Sequence, residues 1–482
     1  MEKRGTLSKI LIAWMASAIL TLSGWSQSLT TDERPNVLMI LSDDHSVPYL
    51  GCYGNRDMHT PNLDQLAAEG VRFNQAYTTA PQCVLSRASL LTGRNVLDVK
   101  MLRFSAPLDR DIITFPELLR EAGYFTGVCG RRYHLDGSGR KAEETIAAFE
   151  EFNMVTFPDR MDYVNMGGGE KVNVQIKEFL DSVPDNRPFF LWANYDDPHR
   201  RFTAPEFAPD YREILVPDNM PDTELLRKDL AQHIGEINRV DHYIGEVIKD
   251  LIKRGLYDNT LVIFMGDNGA ALLRGKGTLY DCGLHVPLVA RYPKKIKPGT
   301  VSDILVSGSD MALTILDYAG VEPHEEMTGK SFRHAMEGIE RENHAYLFAV
   351  RGPHGQPLPG TSADFDLSRT VFNKNFRFIY NPLFHLPFHP VDFAEDEMWA
   401  DLKARHAAGQ LDEKFSRTYI FTEERPMFEF YNLKDDPGEM KDLSGDPKYA
   451  EEEHRFKAQL HRWMIMYWDV VPLPILPPSM RE

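Results

Sequence analysis

The chain has 482 residues, which is long enough for one large domain and a smaller one. Hydrophobic residues make up 43% and charged residues 26% of it, proportions that exclude wholesale disorder. The formal net charge of −17 excludes a general binder of nucleic acid or anionic membranes, and any site for an anionic ligand therefore needs a local basic cluster.

The first 26 residues have the pattern of a signal peptide. Lys3, Arg4 and Lys9 precede an apolar run at 10–22, and small and polar residues follow. This order is typical of a secretory signal, and the run is shorter than the about 20 residues of a membrane-spanning helix. We therefore expect a periplasmic or secreted protein, with no membrane insertion after signal cleavage. An uncleaved anchor is the alternative.

Apolar runs alternate with helical patterns along residues 34–340. Polar and apolar residues do not alternate in these runs, and this pattern is typical of strands that are buried on both faces. They span 36–41, 124–129, 189–194, 261–265 and 286–290. The predicted helices between them span 62–69, 115–121, 171–180, 223–254 and 309–319. This alternation predicts an α/β fold with a large, mostly parallel sheet flanked by helices.

After about residue 340 the predicted strands become shorter and more polar. They cover 344–350, 370–380 and 427–433. A predicted helix follows at 451–468, and the proline-rich end at 472–478 is expected to lack regular structure. We predict a smaller C-terminal α+β domain with an antiparallel sheet at 341–482, after a larger α/β domain at 34–340.

Two pairs of polar residues follow predicted strands directly. Asp43 and Asp44 follow the first strand, and Asp267 and Asn268 follow the fourth. Arg131-Arg132 and Tyr195-Asp196-Asp197 follow two further strands. Because ligands gather beyond the carboxyl ends of parallel strands, we expect all of these side chains to meet at one site. Adjacent carboxylates raise each other's pKa, and a divalent cation removes that cost. Hard oxygen ligands favour Ca²⁺ or Mg²⁺ over zinc.

A candidate nucleophile begins the segment Cys-Val-Leu-Ser-Arg-Ala-Ser-Leu-Leu-Thr-Gly-Arg at Cys83. One interpretation is a small buried cysteine before a helix that runs through Leu91. The functional interpretation places Cys83 at a helix N-terminus, where free amides favour an anion, and Arg87 one turn on points to the same spot. An unmodified thiol there is expected to be acidic and nucleophilic.

These motifs together resemble the sulfatase family of the alkaline phosphatase superfamily. The order and spacing agree from Arg34 to about Leu443. The motifs are Asp43-Asp44, the Cys83–Arg94 segment, Gly266-Asp267-Asn268-Gly269, Gly275-Lys276-Gly277-Thr278 and the late segment 430–439. The resemblance implies an alkaline phosphatase-like fold, with 34–340 as the catalytic domain.

The resemblance also implies a nucleophile and a metal. Cys83 would be oxidised to formylglycine, by a formylglycine-generating enzyme or an anaerobic maturase, and its hydrated aldehyde would attack sulfur. One Ca²⁺ per chain would be bound by Asp43, Asp44, Cys83, Asp267 and Asn268. The catalytic residues carried over from the family are Cys83, Arg87, Arg132, His134, His199 and Lys276.

The basic residues match the family's pattern with one substitution. Arg132-Tyr133-His134-Leu135 resembles the family's Lys-Trp-His-Leu, so Arg132 keeps the charge of the lysine but not its geometry. His199 resembles the histidine that contacts sulfate and protonates the leaving atom, and Lys276 resembles the sulfate-binding lysine. The segment around His199, Asp-Pro-His-Arg, resembles glycan-directed members such as heparan N-sulfatase more than it resembles arylsulfatases.

Leu85 departs from the family's maturation motif, which has Pro or Ala two residues after the cysteine. Maturing enzymes read this segment as an extended peptide, and Pro restricts the backbone there. Three outcomes stay open at this point: maturation of Cys83 is slower, it is done by a different enzyme, or it is absent.

The sequence thus predicts an exported sulfatase that acts on O-sulfates or N-sulfates of a sulfated carbohydrate. The alternatives are a phosphodiesterase or phosphonate hydrolase of the same superfamily, and a non-catalytic binder of sulfated glycans.

Overall fold

The computed structural model describes residues 34–104, 107–131, 143–152, 159–354, 362–363, 365–419 and 424–474. The predicted signal peptide, Arg132, His134 and the end of the proline-rich segment lie outside the described residues. Among the helices that are described, none combines the length and the apolar character needed to cross a membrane.

Three sheets contain the described strands, and the largest has eight of them. The strands are β1 (Asn36–Ser42), β2 (Val71–Phe73), β3 (Ala76–Tyr77), β4 (Phe125–Gly130), β5 (Tyr163–Val164), β6 (Phe189–Asn194), β7 (Thr260–Gly266), β8 (Leu288–Arg291), β9 (Thr300–Ser302), β10 (Val306–Ser307), β11 (Leu347–Val350), β12 (Arg369–Phe372), β13 (Phe376–Tyr380) and β14 (Phe428–Asn432). The large sheet has the order β5-β4-β6-β1-β7-β8-β2-β9. Only β8 runs antiparallel to its neighbours, so the predicted mostly parallel sheet is confirmed.

The central strand β1 is buried on both faces. Val37, Met39 and Leu41 pack into one hydrophobic core, and Leu38 and Ile40 pack into the other. Alternate side chains of a strand point to opposite faces, so a strand covered on both sides must be apolar throughout. This double burial explains the continuous apolar run that the sequence shows.

Helices cover both faces of the large sheet. The helices are α1 (Pro61–Ala68), α2 (Cys83–Thr92), α3 (Val96–Val99), α4 (Phe115–Glu121), α5 (Glu143–Glu151), α6 (Lys171–Ser182), α7 (Glu224–Lys253), α8 (Asp281–Leu284), α9 (Asp310–Ala319), α10 (Arg333–Met336), α11 (Glu397–Ala407), α12 (Glu413–Tyr419) and α13 (Ala450–Met466). The long helix α7 begins after Thr223, whose hydroxyl accepts the amide of Leu226 at 3.2 Å. The helices predicted in the first 340 residues lie within one or two residues of α1, α4, α6, α7 and α9.

The C-terminal part contains an antiparallel sheet with the order β11-β12-β13-β14, as predicted. The prediction of a single strand at 370–380 is wrong, because the chain turns back between β12 and β13. Asn373 Oδ1 accepts the amides of Asn375 and Phe376 at 2.8 and 2.9 Å, and this local bonding makes the turn. Helix α13 packs against this sheet, with Trp463 stacked on Phe348 at a ring distance of 5.1 Å.

The C-terminal sheet also supports the loop that follows Lys276. Arg377 of β13 is fully buried, and it donates to the carbonyl of Leu279 at 3.0 Å. Tyr280 donates to Glu429 of β14 at 2.7 Å. Because these bonds hold the loop that follows Lys276, the C-terminal sheet fixes one wall of the candidate site.

Candidate active site

The register of β1 and β7 brings the two predicted acidic pairs together. These strands are parallel, with Ser42 beside Gly266 at their carboxyl ends. Asp43 and Asp267 follow directly, and the amide of Asp267 donates to the carbonyl of Ser42 at 3.0 Å. Both carboxylates are fully buried at one edge of the sheet.

Asp44 turns toward the same point through a left-handed backbone, with φ of 65°. Its amide donates to Asp267 Oδ1 at 3.0 Å. Its carboxylate accepts Asn268 Nδ2 at 2.8 Å and Lys276 Nζ at 2.9 Å. Burial raises the pKa of Asp44 to about 7 and that of Asp267 to about 6, and the carboxylate of Asp43 adds to both shifts. The cluster therefore has an excess of carboxylate oxygens that a cation would stabilise.

The donor atoms of this cluster fit a hard divalent cation. Ligand atoms of Asp43, Asp44, Cys83 and Asp267 all lie within 4.8 Å of one another. The Oδ1 atom of Asn268 is buried and has no hydrogen-bond partner in the described part of the chain. Leaving a buried amide oxygen unpaired is costly, so this atom points to a missing ligand. Oxygen donors around one point are the ligands that Ca²⁺ and Mg²⁺ prefer.

Cys83 is the first residue of α2, and its thiol faces the carboxylates. Its Sγ lies 3.3 Å from Asp43 Oδ1 and 3.8 Å from Asp44 Oδ1. Burial, reinforced by the charge of Asp43, raises the pKa of the Cys83 thiol well above its ordinary value. The expected acidic thiol is therefore wrong, because burial and carboxylates outweigh the helix N-terminus. As a thiol, Cys83 stays protonated near neutral pH.

Arg87 points back to the cluster from one helical turn on, as its spacing predicts. The side chain is 1% exposed, and its Nε lies 2.8 Å from Asp267 and its Nη2 3.2 Å from Asp43. Its Nη1 donates to Asn194 Oδ1 at 2.5 Å. The guanidinium thus neutralises the carboxylates of both strand ends, and it holds them in fixed orientation.

A second arginine, Arg131, contacts the cluster from the end of β4. Its Nη1 lies 2.6 Å from Asp43 Oδ2, and its Nε lies 3.6 Å from Asp196. Arg131 follows a buried strand directly, as Asp43 does, so its position in the sequence indicated a place at this edge of the sheet. The family pattern assigns the catalytic role to its neighbour Arg132, which lies outside the described residues.

Lys276, His199 and Asp392 lie above the cluster, toward the opening of the site. Lys276 Nζ is 2.9 Å from Asp44 and 2.6 Å from Asp392, and its side chain is 1% exposed. His199 Nε2 is 3.5 Å from Asp392, and these two side chains are 21% and 25% exposed. Burial and the charge of Lys276 lower the pKa of His199 to about 4, so its ring is neutral near neutral pH. The sequence did not predict Asp392.

Gln82 and His354 add a wall beside Cys83, and no sequence motif marked Gln82. Gln82 Nε2 lies 3.2 Å from His354 Nδ1, and its Oε1 accepts the amide of Gly352 at 3.0 Å. The ring of His354 lies 4.4 Å from that of Phe104. The segment after β11 therefore reaches the residue that precedes Cys83.

Binding of a divalent cation to this cluster is expected to strengthen as the pH rises from about 5 to about 8. The pKa of Asp44 is raised to about 7 and that of Asp267 to about 6, so protons occupy these carboxyls in slightly acidic solution. A cation must displace those protons, and its affinity therefore falls as the pH falls. Titration calorimetry in buffers of different ionisation enthalpy measures both the affinity and the protons released. An affinity that is constant over this range would contradict the assignment of Asp44 and Asp267 as ligands of the cation.

Solved structures share the fold. A protein in complex with its substrate D-glucosamine-2-N,6-O-disulfate matches with a TM-score of 0.68 at 20% identity, over 92% of this chain and 100% of that chain. A phosphonate monoester hydrolase from Silicibacter pomeroyi matches with a TM-score of 0.67 at 19% identity, over 91% of this chain and 96% of that one. These likenesses define the class as the alkaline phosphatase-like α/β fold that the sequence predicted.

Sequence comparison identifies the family. An ulvan-active sulfatase from Formosa agariphila is 26% identical over 485 residues, covering 92% of this chain and 77% of the relative. The human N-sulphoglucosamine sulphohydrolase is 29% identical over 477 residues, covering 89% of this chain and 90% of the relative. The profile of the Sulfatase family matches residues 35–321, more than half of the chain. The chain therefore belongs to the sulfatase family of sulfuric ester hydrolases.

Proposed function

We propose that this protein is an exported hydrolase that removes sulfate, as an ester or an N-sulfate, from a sulfated carbohydrate, with a formylglycine made from Cys83 and one bound Ca²⁺. The observation that carries the proposal is the place of Cys83, whose Sγ lies 3.3 Å from Asp43 inside the carboxylate cluster. Carbohydrate substrates are proposed from the relatives, which include an ulvan-active sulfatase and N-sulphoglucosamine sulphohydrolase. Export is proposed from residues 1–26.

The side chains of Asp43, Asp44, Asp267 and Asn268 would hold Ca²⁺ together with residue 83. The ion would supply positive charge that lowers the pKa of a hydroxyl nucleophile and neutralises sulfate oxygens. The unpaired Oδ1 of Asn268 and the surplus of carboxylate oxygens support this assignment. Arg87 and Arg131 would keep Asp43 in position for it.

The surroundings of Cys83 favour a modified residue over a thiol nucleophile. Without a bound cation this thiol has a raised pKa, so the reactive thiolate is scarce near neutral pH. Formylglycine, as its hydrated aldehyde, would supply one hydroxyl to attack sulfur and a second to expel sulfate later. The N-terminus of α2 would then face an anionic sulfate group, which helix amides stabilise.

Lys276 and His199 would bind the sulfate group and the leaving atom. Lys276 Nζ lies 2.9 Å from Asp44 Oδ2. Its ammonium would therefore be close to an oxygen of a sulfate group that is bound over the cluster. His199 Nδ1 donates to the carbonyl of Arg200, and Nε2 must gain a proton before it can protonate a leaving atom. An arriving sulfate and the carboxylate of Asp392 both favour that charged ring.

The proposed reaction is tested by sulfate release from a panel of sulfated sugars, with Ca²⁺ present or chelated. We expect release that requires Ca²⁺, and slower cleavage of phosphodiesters and phosphonates. Preferred cleavage of phosphonates by a protein with an unmodified Cys83 would instead indicate a phosphonate hydrolase. Ligand binding without turnover, in protein that contains formylglycine, would indicate a glycan-binding protein.

Replacing Leu85 with Pro is expected to raise the fraction of chains with formylglycine. Pro would restore the family's maturation motif, and at the third position of α2 it removes no helical hydrogen bond. Leu85 is fully buried, so the smaller ring should cost about 1–3 kcal/mol of folding free energy. Peptide mass spectrometry measures the fraction, and thermal unfolding measures the cost. The conservative change of Val84 to Ile, also in this segment, is the control and should leave the fraction unchanged.

A further inference from the structure

Asp392 places a carboxylate at the mouth of the site, beside the two residues proposed to bind the scissile group. Its Oδ2 lies 2.6 Å from Lys276 Nζ and 3.5 Å from His199 Nε2. The side chain is 25% exposed, whereas Asp44 below it is fully buried. Because His199 is the residue proposed to protonate the leaving atom, that atom would lie within reach of Asp392.

The chain holds Asp392 there in an unusual backbone conformation. Its φ is 69°, a left-handed conformation that few residues other than glycine adopt. The preceding Val391 is buried against Gly277, where an added Cβ would lie 2.5 Å from its Cγ2 atom. Gly277 itself has φ of 79°. Because Gly277 has no side chain, the segment that carries Asp392 can approach Lys276. A left-handed backbone such as that of Asp392 is strained, and strain of this kind is typical of functional positions.

The charge of Asp392 opposes an anionic substrate. Burial alone would raise its pKa, but Lys276, His354 and His199 hold that pKa well below its usual range, so Asp392 is ionised. A carboxylate next to the cations that bind sulfate weakens their attraction for an anion. The carboxylate of Asp392 gains a compensating contact only when the substrate offers a positive charge or an N–H donor at the leaving atom.

The two kinds of sulfate group differ at that atom. An O-sulfate leaves as an alcohol, which is neutral. An N-sulfate leaves as an amine, which carries at least two N–H donors and is cationic at neutral pH. A carboxylate therefore stabilises the second leaving group far more than the first.

We infer that Asp392 accepts a hydrogen bond from the leaving nitrogen of an N-sulfated amino sugar and thereby selects N-sulfates over O-sulfates. This inference rests on the proposed function and deepens it. The N–S bond breaks with its electron pair going to nitrogen, while an S–O bond forms to the nucleophile. Nitrogen takes one proton from His199, and the proton of the nucleophile's hydroxyl passes to solvent. Asp392 stays ionised throughout, and the free amine then takes a further proton from water.

The variant Asp392→Asn tests this with two substrates, glucosamine N-sulfate and N-acetylglucosamine 6-O-sulfate. Asn keeps the size of the side chain and removes its charge. We expect kcat/KM for the N-sulfate to fall about 10- to 100-fold, because a charge-assisted hydrogen bond is lost. The value for the O-sulfate should fall by less, because it loses only the support that Asp392 gives to the charged ring of His199. The ratio of the N-sulfate value to the O-sulfate value should therefore drop about 10-fold. Asp401→Asn, which removes a carboxylate paired with Arg405 on the surface of α11, is the control.

An equal loss for both substrates would overturn the inference, since it is what a residue that only positions Lys276 and His199 would cause. Asp392→Glu, which keeps the charge, should recover part of the N-sulfate activity. A wild-type protein that cleaves the O-sulfate and leaves the N-sulfate intact would also overturn it, while the proposed function would stand.

Binding of the two products provides a second test that needs no turnover. Calorimetry with glucosamine, a cation, should show a Kd about 10-fold higher for Asp392→Asn than for the unchanged protein. N-acetylglucosamine, which is neutral, should bind both proteins alike. If glucosamine binding is unaffected by the substitution, the inference fails. If no sulfated sugar is hydrolysed by protein that contains formylglycine, the proposed function fails instead, whatever these binding results are.

Discussion

Cys83→Ala is expected to abolish sulfate release, by about 10⁴-fold or more, because it removes the nucleophile. The fold should survive, since Cys83 is a small buried side chain whose loss should cost about 1 kcal/mol. Rates on a sulfated sugar and thermal unfolding measure the two effects.

Cys129→Ala is the matched control for that change. Cys129 is also fully buried, but it lies within β4, and its side chain packs into a hydrophobic core. We expect the same small loss of stability and near-normal activity. Activity of Cys83→Ala close to that of this control would mean that another residue is the nucleophile.

Arg87→Met is expected to lower the free energy of unfolding by about 3–5 kcal/mol in the presence of a chelator, because it removes the ion-pair partner of buried Asp267 and leaves Asp43 with Arg131 alone. Saturating Ca²⁺ should restore part of the loss, since the ion neutralises the same carboxylates. The loss should shrink below about pH 6, where burial has already raised the pKa of Asp267 enough for a proton to neutralise it. Denaturant unfolding with Ca²⁺ or chelator measures these differences.

Arg333→Met is the control for the loss of an arginine. Arg333 is half-buried and pairs with Asp317 and Glu337 away from the cluster, so its loss should cost about 1 kcal/mol or less and be insensitive to Ca²⁺. If Arg87→Met were no more destabilising than this control, the carboxylates would have to be neutral without Arg87, and the charge balance described for the cluster would be wrong.

The fold and the core of the site could be predicted where local sequence pattern decides the structure. The apolar runs before Asp43 and Asp267 predict parallel strands, and their shared sheet edge then brings the two residues together. The turn at Asn373 was missed because apolar residues on both sides of it mask a short polar break. A turn of this kind depends on side-chain bonding to the backbone, which periodicity does not report.

The rest of the site depends on contacts between distant parts of the chain. Asp392 lies in an irregular segment with no strand or motif to mark it, and it joins the site only because Gly277 lets that segment approach. The pKa of Cys83 was misjudged for a related reason. A helix N-terminus is visible in the sequence, whereas complete burial among carboxylates is a property of the folded chain.

Mass spectrometry of the peptide that carries Cys83 tests the central claim most directly. The protein should come from its native host, from a preparation that releases sulfate from a sulfated sugar. We predict an aldehyde at position 83 in a substantial fraction of chains, with that fraction proportional to the specific activity. An unmodified Cys83 thiol in every chain of an active preparation would contradict the account.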